Sequence, residues 1–255
     1  MSEAKMKKVF GRPASLKPAE THYCPGCGHS IAHRLLAECL DELKLREKTV
    51  GVLPVGCAVI AHKYFNFDMA EAPHGRAPAA ATGIKRVHPD KLVLTYQGDG
   101  DLAAIGTAET IHMANRGEKI TTIFINNAIY GMTGGQMAPT SIIGLKTTTT
   151  PEGRASSRDG WPIDISRMLA VTDGAVYIER CVLTTVKGIR RAKKAILKAF
   201  QVQLDGLGFS LVELLSPCPT NWKLSPRAAV EWVNTEMIKS YSPGVIKDTT
   251  GYEDK

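Results

Sequence analysis

Short apolar runs alternate with helix-like segments along most of this sequence, and that alternation limits the possible fold more than any other feature. The runs are brief and rich in β-branched residues, as is typical of strands buried on both faces of a sheet. They cover residues 49–56, 91–100, 119–127, 171–183 and 209–219. Apolar positions at helical spacing predict helices over residues 29–43, 77–87, 102–115 and 187–200. This alternation predicts an α/β fold built on a doubly wound, mainly parallel sheet.

The domain organisation is expected to be simple. Neither an internal repeat nor a clear linker divides the chain, so we predict a single domain over residues 1–255 with irregular arms at 1–28 and 216–255. Residues 144–161 contain four consecutive threonines and five charged residues, which predicts an exposed loop.

The composition excludes several classes of protein. With 44% hydrophobic and 22% charged residues the chain is not expected to be disordered. No apolar run approaches the roughly 20 residues of a membrane helix, and the amino terminus lacks the apolar segment of a secretory signal, so we expect a soluble, cytoplasmic protein without a membrane partner.

The net charge is +7, but the basic residues are scattered, which argues against nucleic acid as a partner. Residues 187–200, the densest basic stretch, predict a solvated helix face in preference to a docking surface for an acidic electron carrier or a phosphorylated substrate.

The stretch QGDGDL places glycines and carboxylates together at the end of a predicted strand. Gly98 and Gly100 allow a backbone bend and the close approach of a ligand. Asp99 is the natural candidate for a magnesium ligand, since magnesium prefers carboxylate, phosphate and water oxygens. The next predicted strand ends in two asparagines, and the amide oxygen of Asn127 is a candidate for the same shell. The alternative is a simple turn in which the aspartate only caps the following helix.

The stretch HYCPGCGHS, at residues 22–30, holds Cys24 and Cys27 in a CxxC spacing. Such a pair is compatible with half of a zinc site, a redox-active dithiol or half of an iron–sulfur site. A redox-active pair is disfavoured, because that motif opens a helix after a strand, whereas the segment preceding this one is polar and contains proline.

A four-thiolate site needs two more of the six cysteines. Cys57 and Cys218 are the candidates, because each occupies a turn beside glycine or proline and is expected to be an exposed loop ligand. Four thiolates suit zinc as well as an iron–sulfur cluster, so the residues alone leave both open. Disulfides are not expected in a cytosolic chain. Cys39 and Cys181 fall on apolar faces and are predicted to be small buried hydrophobes.

A resemblance to a known family extends these predictions. GDGDLAAIG, followed by NNAIYGMTGGQ, looks like a thiamine diphosphate fingerprint and resembles the β subunit of 2-oxoacid:ferredoxin oxidoreductases. LPVGCA at 53–58 resembles that family's loop under the cofactor, and HGRAPAAATGIK at 74–85 resembles its HGR segment. The similarity runs from about Thr21 to Trp222 and implies the thiamine diphosphate-binding fold.

The resemblance also implies a set of site residues. Asp99, the Asn127 side chain and the Ile129 carbonyl are expected to bind Mg²⁺, which anchors the diphosphate. Cys24, Cys27, Cys57 and Cys218 are expected to hold a 4Fe–4S cluster. The residues expected to contact the cofactor are Val55, Gly56, Cys57, Ala58, His74, Gly98, Asp99, Gly100, Asp101, Asn127, Ile129, Tyr130, Gly131, Met132 and Thr133.

In this family the resemblance implies oxidative decarboxylation of a 2-oxoacid to an acyl-CoA, with coenzyme A as co-substrate and electrons passed through the cluster to ferredoxin. It implies a hetero-oligomer with an α subunit and with γ and δ subunits, to which the two arms contribute contacts. The activating glutamate is expected from the α subunit. We therefore predict no catalytic residue in this chain, a structural role for Glu109, and no activity of the chain alone.

The expected substrate follows from one position of the cofactor loop. The family's pyruvate-type pattern has asparagine where this loop has Met132, which favours a branched-chain acid such as 2-oxoisovalerate, with 2-oxoglutarate as the alternative. A different class of function also stays open, namely a non-catalytic, zinc-stabilised α/β subunit.

Overall fold

A seven-stranded sheet forms the centre of the molecule. The computed structural model describes residues 10–252, and its strands lie in the order β2-β1-β3-β4-β6-β5-β7. They are β1 Thr49–Leu53, β2 Asp68–Glu71, β3 Leu92–Gly98, β4 Thr121–Asn126, β5 Ala175–Val182, β6 Phe209–Leu215 and β7 Gly244–Asp248. All neighbouring strands pair in parallel except β7, which pairs with β5 as an antiparallel edge strand. The predicted mainly parallel, doubly wound sheet is confirmed.

The helices cover both faces of the sheet. They are α1 His29–Glu42, α2 Ala77–Val87, α3 Thr107–Asn115, α4 Ser156–Asp159, α5 Ile165–Ala170, α6 Val186–Leu204, α7 Pro219–Trp222, α8 Pro226–Trp232 and α9 Ile238–Ser240. Short 3₁₀ turns span Arg46–Lys48 and Val59–Lys63, and π-helical turns span Asp101–Ile105 and Val233–Met237.

One apolar cluster lies on each face of the sheet. Leu36 of α1 and Phe200 of α6 pack in one cluster with residues of β3, and Ala81 of α2 and Leu169 of α5 pack in the other with residues of β4. Burial on both faces explains why the central strands are apolar throughout rather than alternating.

Several segments differ from the sequence-based expectation. The edge strands β2 and β7 were not predicted, because their residues are largely half-exposed or exposed and give no buried apolar run. The carboxyl-terminal arm, expected to be irregular, contains α7 to α9 and β7. It is ordered because its apolar residues, among them Val233, Met237 and Tyr241, are buried in a third cluster.

The expectation of an exposed loop at 144–161 is wrong in part. Thr147, Thr150 and Arg154 are buried. The Arg154 guanidinium donates to the carbonyl oxygens of Pro139 and Ser141 at 2.8 and 2.6 Å. These bonds satisfy a buried cation with backbone carbonyls, so the loop folds back over the molecule.

Basic residues of α6 are engaged within the chain. Arg191, Lys193 and Lys198 form ion pairs with acidic side chains of β5, α1 and β7. Within residues 10–252 no helix combines the length and the apolar character needed to cross a membrane.

Candidate active site

The carboxyl ends of β1, β3 and β4 open into one cavity of about 270 Å³. In a parallel α/β sheet this edge is where ligands bind, because the loops that follow neighbouring strands meet there. Every residue expected to contact the cofactor lines this cavity: Val55, Gly56, Cys57, Ala58, His74, Gly98, Asp99, Gly100, Asp101, Asn127, Ile129, Tyr130, Gly131, Met132 and Thr133. His29, Ile105 and Ile125 also line it and were not identified from the sequence.

Asp99 is a buried carboxylate of the cavity that accepts three hydrogen bonds. It is 4% exposed. Its Oδ1 accepts from the Gly100 N–H at 2.9 Å, and its Oδ2 accepts from the Ile129 N–H at 3.1 Å and from Thr140 Oγ1 at 2.8 Å. Burial raises the pKa of Asp99 to about 7 despite these donors. A cation beside this carboxylate would favour its charged form.

Asn127 brings a third polar group to the same point. One terminal atom of its amide lies 3.3 Å from Asp99 Oδ2 and 2.8 Å from the Ile129 carbonyl oxygen. A nitrogen at that position donates to both oxygens, whereas an oxygen makes three acceptors converge. Mg²⁺ bonds of 2.0–2.1 Å put neighbouring octahedral ligands about 2.9 Å apart. An amide oxygen 2.8 Å from the Ile129 carbonyl oxygen would have the spacing of two ligands of one ion, whereas without an ion the amide nitrogen satisfies this position.

The turn that carries Asn127 is held from behind. Ala128 has a positive φ of 58°, and its N–H donates to Asn126 Oδ1 at 3.1 Å. Asn126 in turn donates to Glu213 Oε1 at 2.7 Å. The two asparagines therefore have different tasks, since Asn126 stabilises the turn and Asn127 faces the cavity.

Asp101 fixes the HGR segment instead of facing a cation. Its Oδ1 accepts from His74 Nδ1 at 2.8 Å and from the Gly75 N–H at 2.6 Å, and its Oδ2 accepts from Gln97 Nε2 at 2.5 Å. The predicted contacts His74 and Asp101 are thus one hydrogen-bonded pair. Neither Asp99 nor Asp101 caps the following helix, so the interpretation of GDG as a plain helix cap is wrong.

The four predicted cluster cysteines approach one another from three parts of the chain. A Cβ atom added at Gly131 would lie 3.5 Å from the Sγ atoms of both Cys57 and Cys218, so these sulfurs are no farther apart than twice that distance. Burial, followed by the electrostatic influence of Cys218, Cys57 and Cys24, raises the pKa of Cys27 to about 12. The thiols are therefore close enough to disfavour each other's ionisation.

The four thiols are not grouped as the ligands of a single metal ion would be. Within residues 10–252 no three His, Cys, Asp or Glu side chains stand close enough to share a single metal ion. Cys218 is 9% exposed, so the expectation of an exposed ligand is wrong for that residue, because α7 and α8 fold over it. Cys39 and Cys181, at 0% and 1% exposure, are buried as predicted.

An aromatic cluster supports the cavity floor. His29 Nδ1 and the Tyr96 hydroxyl are 2.6 Å apart. Tyr23 stacks on His29 with ring centroids 4.7 Å apart and donates to the Cys57 carbonyl oxygen at 3.0 Å. Burial lowers the pKa of His29 to about 3, which keeps its ring neutral. Glu109 Oε1 pairs with Arg76, and Glu109 does not line the cavity.

Comparison with known proteins identifies the class of this site. Residues 54–214 match the family described as "Thiamine pyrophosphate enzyme, C-terminal TPP binding domain", so the cavity belongs to a thiamine diphosphate-binding domain.

The chain is 49% identical over 240 residues to ketoisovalerate oxidoreductase subunit VorA of Methanothermobacter thermautotrophicus, covering 94% of this chain and 50% of that protein. It is 39% identical over 221 residues to 2-oxoglutarate synthase subunit KorB of Archaeoglobus fulgidus, covering 87% of this chain and 78% of that protein. The chain belongs to the 2-oxoacid:ferredoxin oxidoreductase family.

A solved structure shares the fold. The 2-oxoglutarate:ferredoxin oxidoreductase from Magnetococcus marinus, solved with 2-oxoglutarate, coenzyme A and succinyl-CoA bound, aligns with a TM-score of 0.75 and 24% identity over 96% of this chain and 87% of that chain. This likeness confirms the predicted fold class. The chain spans about half the length of the ketoisovalerate oxidoreductase subunits that it matches.

Proposed function

We propose that this chain is the β subunit of a 2-oxoacid:ferredoxin oxidoreductase, which converts a 2-oxoacid to an acyl-CoA and passes electrons through a 4Fe–4S cluster to ferredoxin. One observation carries the proposal. Gly131 of the predicted cofactor loop lies against the sulfurs of Cys57 and Cys218, while the same cavity holds Asp99 and Asn127. Residues that would hold a cluster and residues that would hold a diphosphate-anchoring cation thus lie close together, which supports electron transfer between cofactor and cluster.

Asp99, Asn127 and the Ile129 carbonyl would hold Mg²⁺, and the cavity residues listed above would hold thiamine diphosphate. When bound, the coenzyme supplies the carbanion chemistry by which 2-oxoacids lose carbon dioxide. The protein's own residues bind and orient it. Asp101 keeps His74 at the cavity wall, and after the Ala128 turn the Ile129 N–H donates to Asp99.

Cys24, Cys27, Cys57 and Cys218 would hold the cluster. A zinc ion bound by four sulfurs at about 2.3 Å needs the thiolates packed tightly together. Within residues 10–252 no three His, Cys, Asp or Glu side chains lie close enough to share one ion. This spacing favours the larger iron–sulfur cluster over zinc. Cluster charge also favours the thiolate forms, which burial opposes in Cys27 and Cys57.

The chain would act within a larger assembly. An α subunit would supply the activating glutamate, since Glu109 is engaged with Arg76, and γ and δ subunits would complete the enzyme. The relatives that are twice as long fit a requirement for further polypeptide. We keep the whole chain as one domain whose terminal segments bring cluster ligands, and we place it in the cytoplasm, where its free cysteines stay reduced.

A branched-chain acid such as 2-oxoisovalerate is the substrate that the cavity favours. Val55, Ile105 and Met132 are exposed apolar side chains at its wall. Among the described residues that line the cavity there is no lysine or arginine to pair with the second carboxylate of 2-oxoglutarate. The ketoisovalerate relatives at 49% and 48% identity fit this assignment. Coenzyme A would accept the acyl group.

The test is anaerobic purification of this chain with its partner subunits, followed by visible spectroscopy, iron analysis and assays with 2-oxoisovalerate, 2-oxoglutarate and pyruvate. We expect an iron–sulfur chromophore that is lost in Cys57→Ser and Cys218→Ser but kept in the matched controls Cys39→Ser and Cys181→Ser. Turnover should require the partners and be fastest with 2-oxoisovalerate. A colourless zinc protein without bound thiamine diphosphate would instead support the non-catalytic subunit.

A further inference from the structure

The segment 138–141 touches both halves of the proposed cation site. Thr140 Oγ1 donates to Asp99 Oδ2 at 2.8 Å across 41 residues of sequence. Ser141 Oγ donates to the Ala128 carbonyl oxygen at 2.5 Å, inside the turn that carries Asn127. Thr140 and Ser141 are both fully buried.

The segment is itself held on two sides. From the carboxyl-terminal arm, the Tyr241 hydroxyl donates to the Thr140 carbonyl oxygen at 2.7 Å and contacts the Ile163 carbonyl oxygen at 3.2 Å. From the 144–161 loop, Arg154 donates to the carbonyl oxygens of Pro139 and Ser141. Tyr241 is 2% exposed, and the Arg180 guanidinium lies 5.2 Å from its ring centroid. These contacts leave the backbone of residue 140 little freedom.

We propose that Thr140 and Tyr241 are positioning residues for the cation-binding carboxylate, so that the carboxyl-terminal arm sets the affinity of the cavity for Mg²⁺ and thiamine diphosphate. The inference rests on the proposed function of the site. A buried carboxylate oxygen that already accepts from the Ile129 N–H and the Thr140 hydroxyl cannot rotate without losing a charge-assisted hydrogen bond. With Oδ1 accepting from the Gly100 N–H, three of the roughly four lone-pair sites of the carboxylate are taken, and the one left on Oδ1 is aimed before the cation arrives.

Each positioning residue has a conservative probe. Thr140→Val keeps the shape of the side chain and removes the hydroxyl, whereas Thr140→Ser keeps the hydroxyl. Tyr241→Phe removes the hydroxyl that holds residue 140 and keeps the buried ring. Tyr252→Phe is the matched control, because the Tyr252 hydroxyl bonds to Asp205 on the surface, away from the cavity.

The experiment measures the Mg²⁺ dependence of thiamine diphosphate binding to the purified complex by isothermal titration calorimetry, with thermal unfolding recorded for each variant. We expect the Mg²⁺ concentration at half-saturation to rise about tenfold in Thr140→Val, because one hydrogen bond to a charged group is lost. In Tyr241→Phe it should rise a few-fold, because that hydroxyl acts on Asp99 only through residue 140. Thr140→Ser and Tyr252→Phe should bind like the wild type, and excess Mg²⁺ should restore binding to Thr140→Val.

The outcomes separate the two proposals. A wild-type complex that does not bind thiamine diphosphate in a Mg²⁺-dependent manner overturns the proposed function and this inference together. A wild type that binds, with Thr140→Val and Tyr241→Phe at wild-type Mg²⁺ dependence, overturns only the inference. A lower unfolding temperature in both variants without any shift in Mg²⁺ dependence reduces the two residues to structural roles and overturns it as well.

Discussion

The approach of the two cysteine-bearing arms depends on the absence of a side chain at Gly28. The φ and ψ of this residue, −76° and −10°, suit any amino acid, so alanine would meet no backbone strain there. An added Cβ would, however, lie 2.4 Å from Ser216 Oγ and 3.2 Å from a methyl group of Leu183. Gly28→Ala therefore tests the packing of the arms alone.

The magnitude follows from the contacts that the new methyl group would displace. The Gly28 N–H donates to Ser216 Oγ at 3.1 Å, and loss of such a buried bond costs about 1 kcal/mol. Overpacking of a tightly packed site adds about 1–3 kcal/mol. We expect the free energy of unfolding to fall by about 2–4 kcal/mol in total. Because Cys27 and Cys218 lie within two residues of the collision, the complex should also contain less iron than one cluster per chain.

The assay combines urea denaturation followed by circular dichroism with iron analysis and the visible spectrum of the anaerobically purified complex. The double variant Gly28→Ala/Ser216→Gly removes the oxygen and the Cβ that the new methyl group would meet. It should recover most of the iron and much of the stability. A Gly28→Ala protein with wild-type iron content and wild-type unfolding free energy would refute the described packing of the arms.

The remaining predictions concern stability. Arg180→Met leaves the buried Glu213 carboxylate without its guanidinium and should lower the free energy of unfolding by about 3–5 kcal/mol. Lys239→Met, which breaks an exposed pair with Glu236, should change it by less than about 1 kcal/mol in the same urea titration. His33 is buried with Nε2 unpartnered, and burial holds its pKa well below 6.5. Below pH 6.5 the unfolded chain therefore binds a proton at His33 that the folded protein does not. As the pH is lowered below 6.5, the free energy of unfolding decreases by up to about 1.4 kcal/mol per pH unit. His33→Phe should make this fall less steep between about pH 7 and pH 5, and equal slopes would contradict the assignment.

The central strands and the cofactor loops were predictable because their signals are local. A run such as 119–127 is apolar wherever it is placed, and the glycines of QGDGDL allow a bend regardless of what surrounds them. The end of each parallel strand then lies at a known edge of the sheet. That is why Asp99 and Asn127 could be assigned to one site from the sequence, whereas Gly131 was assigned through the family resemblance.

Residues whose role depends on a distant partner were missed. Thr140 resembles any other loop threonine until its contact with Asp99 is seen. Arg154 has the composition of an exposed loop around it, yet its guanidinium is satisfied by carbonyls that only the folded chain brings near. The edge strand β7 is defined by its partner β5, since its own residues are half-exposed or exposed.

By itself, then, the amino-acid order determined the succession of the central strands and their helices, the type of sheet and the polar, glycine-rich character of the loops at its carboxyl edge, since these follow from short-range periodicity and residue type. Only the tertiary structure decided which loops meet: that Cys218 lies beside Gly131, that Asp101 holds His74 and not a cation, and that Tyr241 supports the segment behind Asp99. Those contacts join positions far apart in the chain, and no local pattern encodes them.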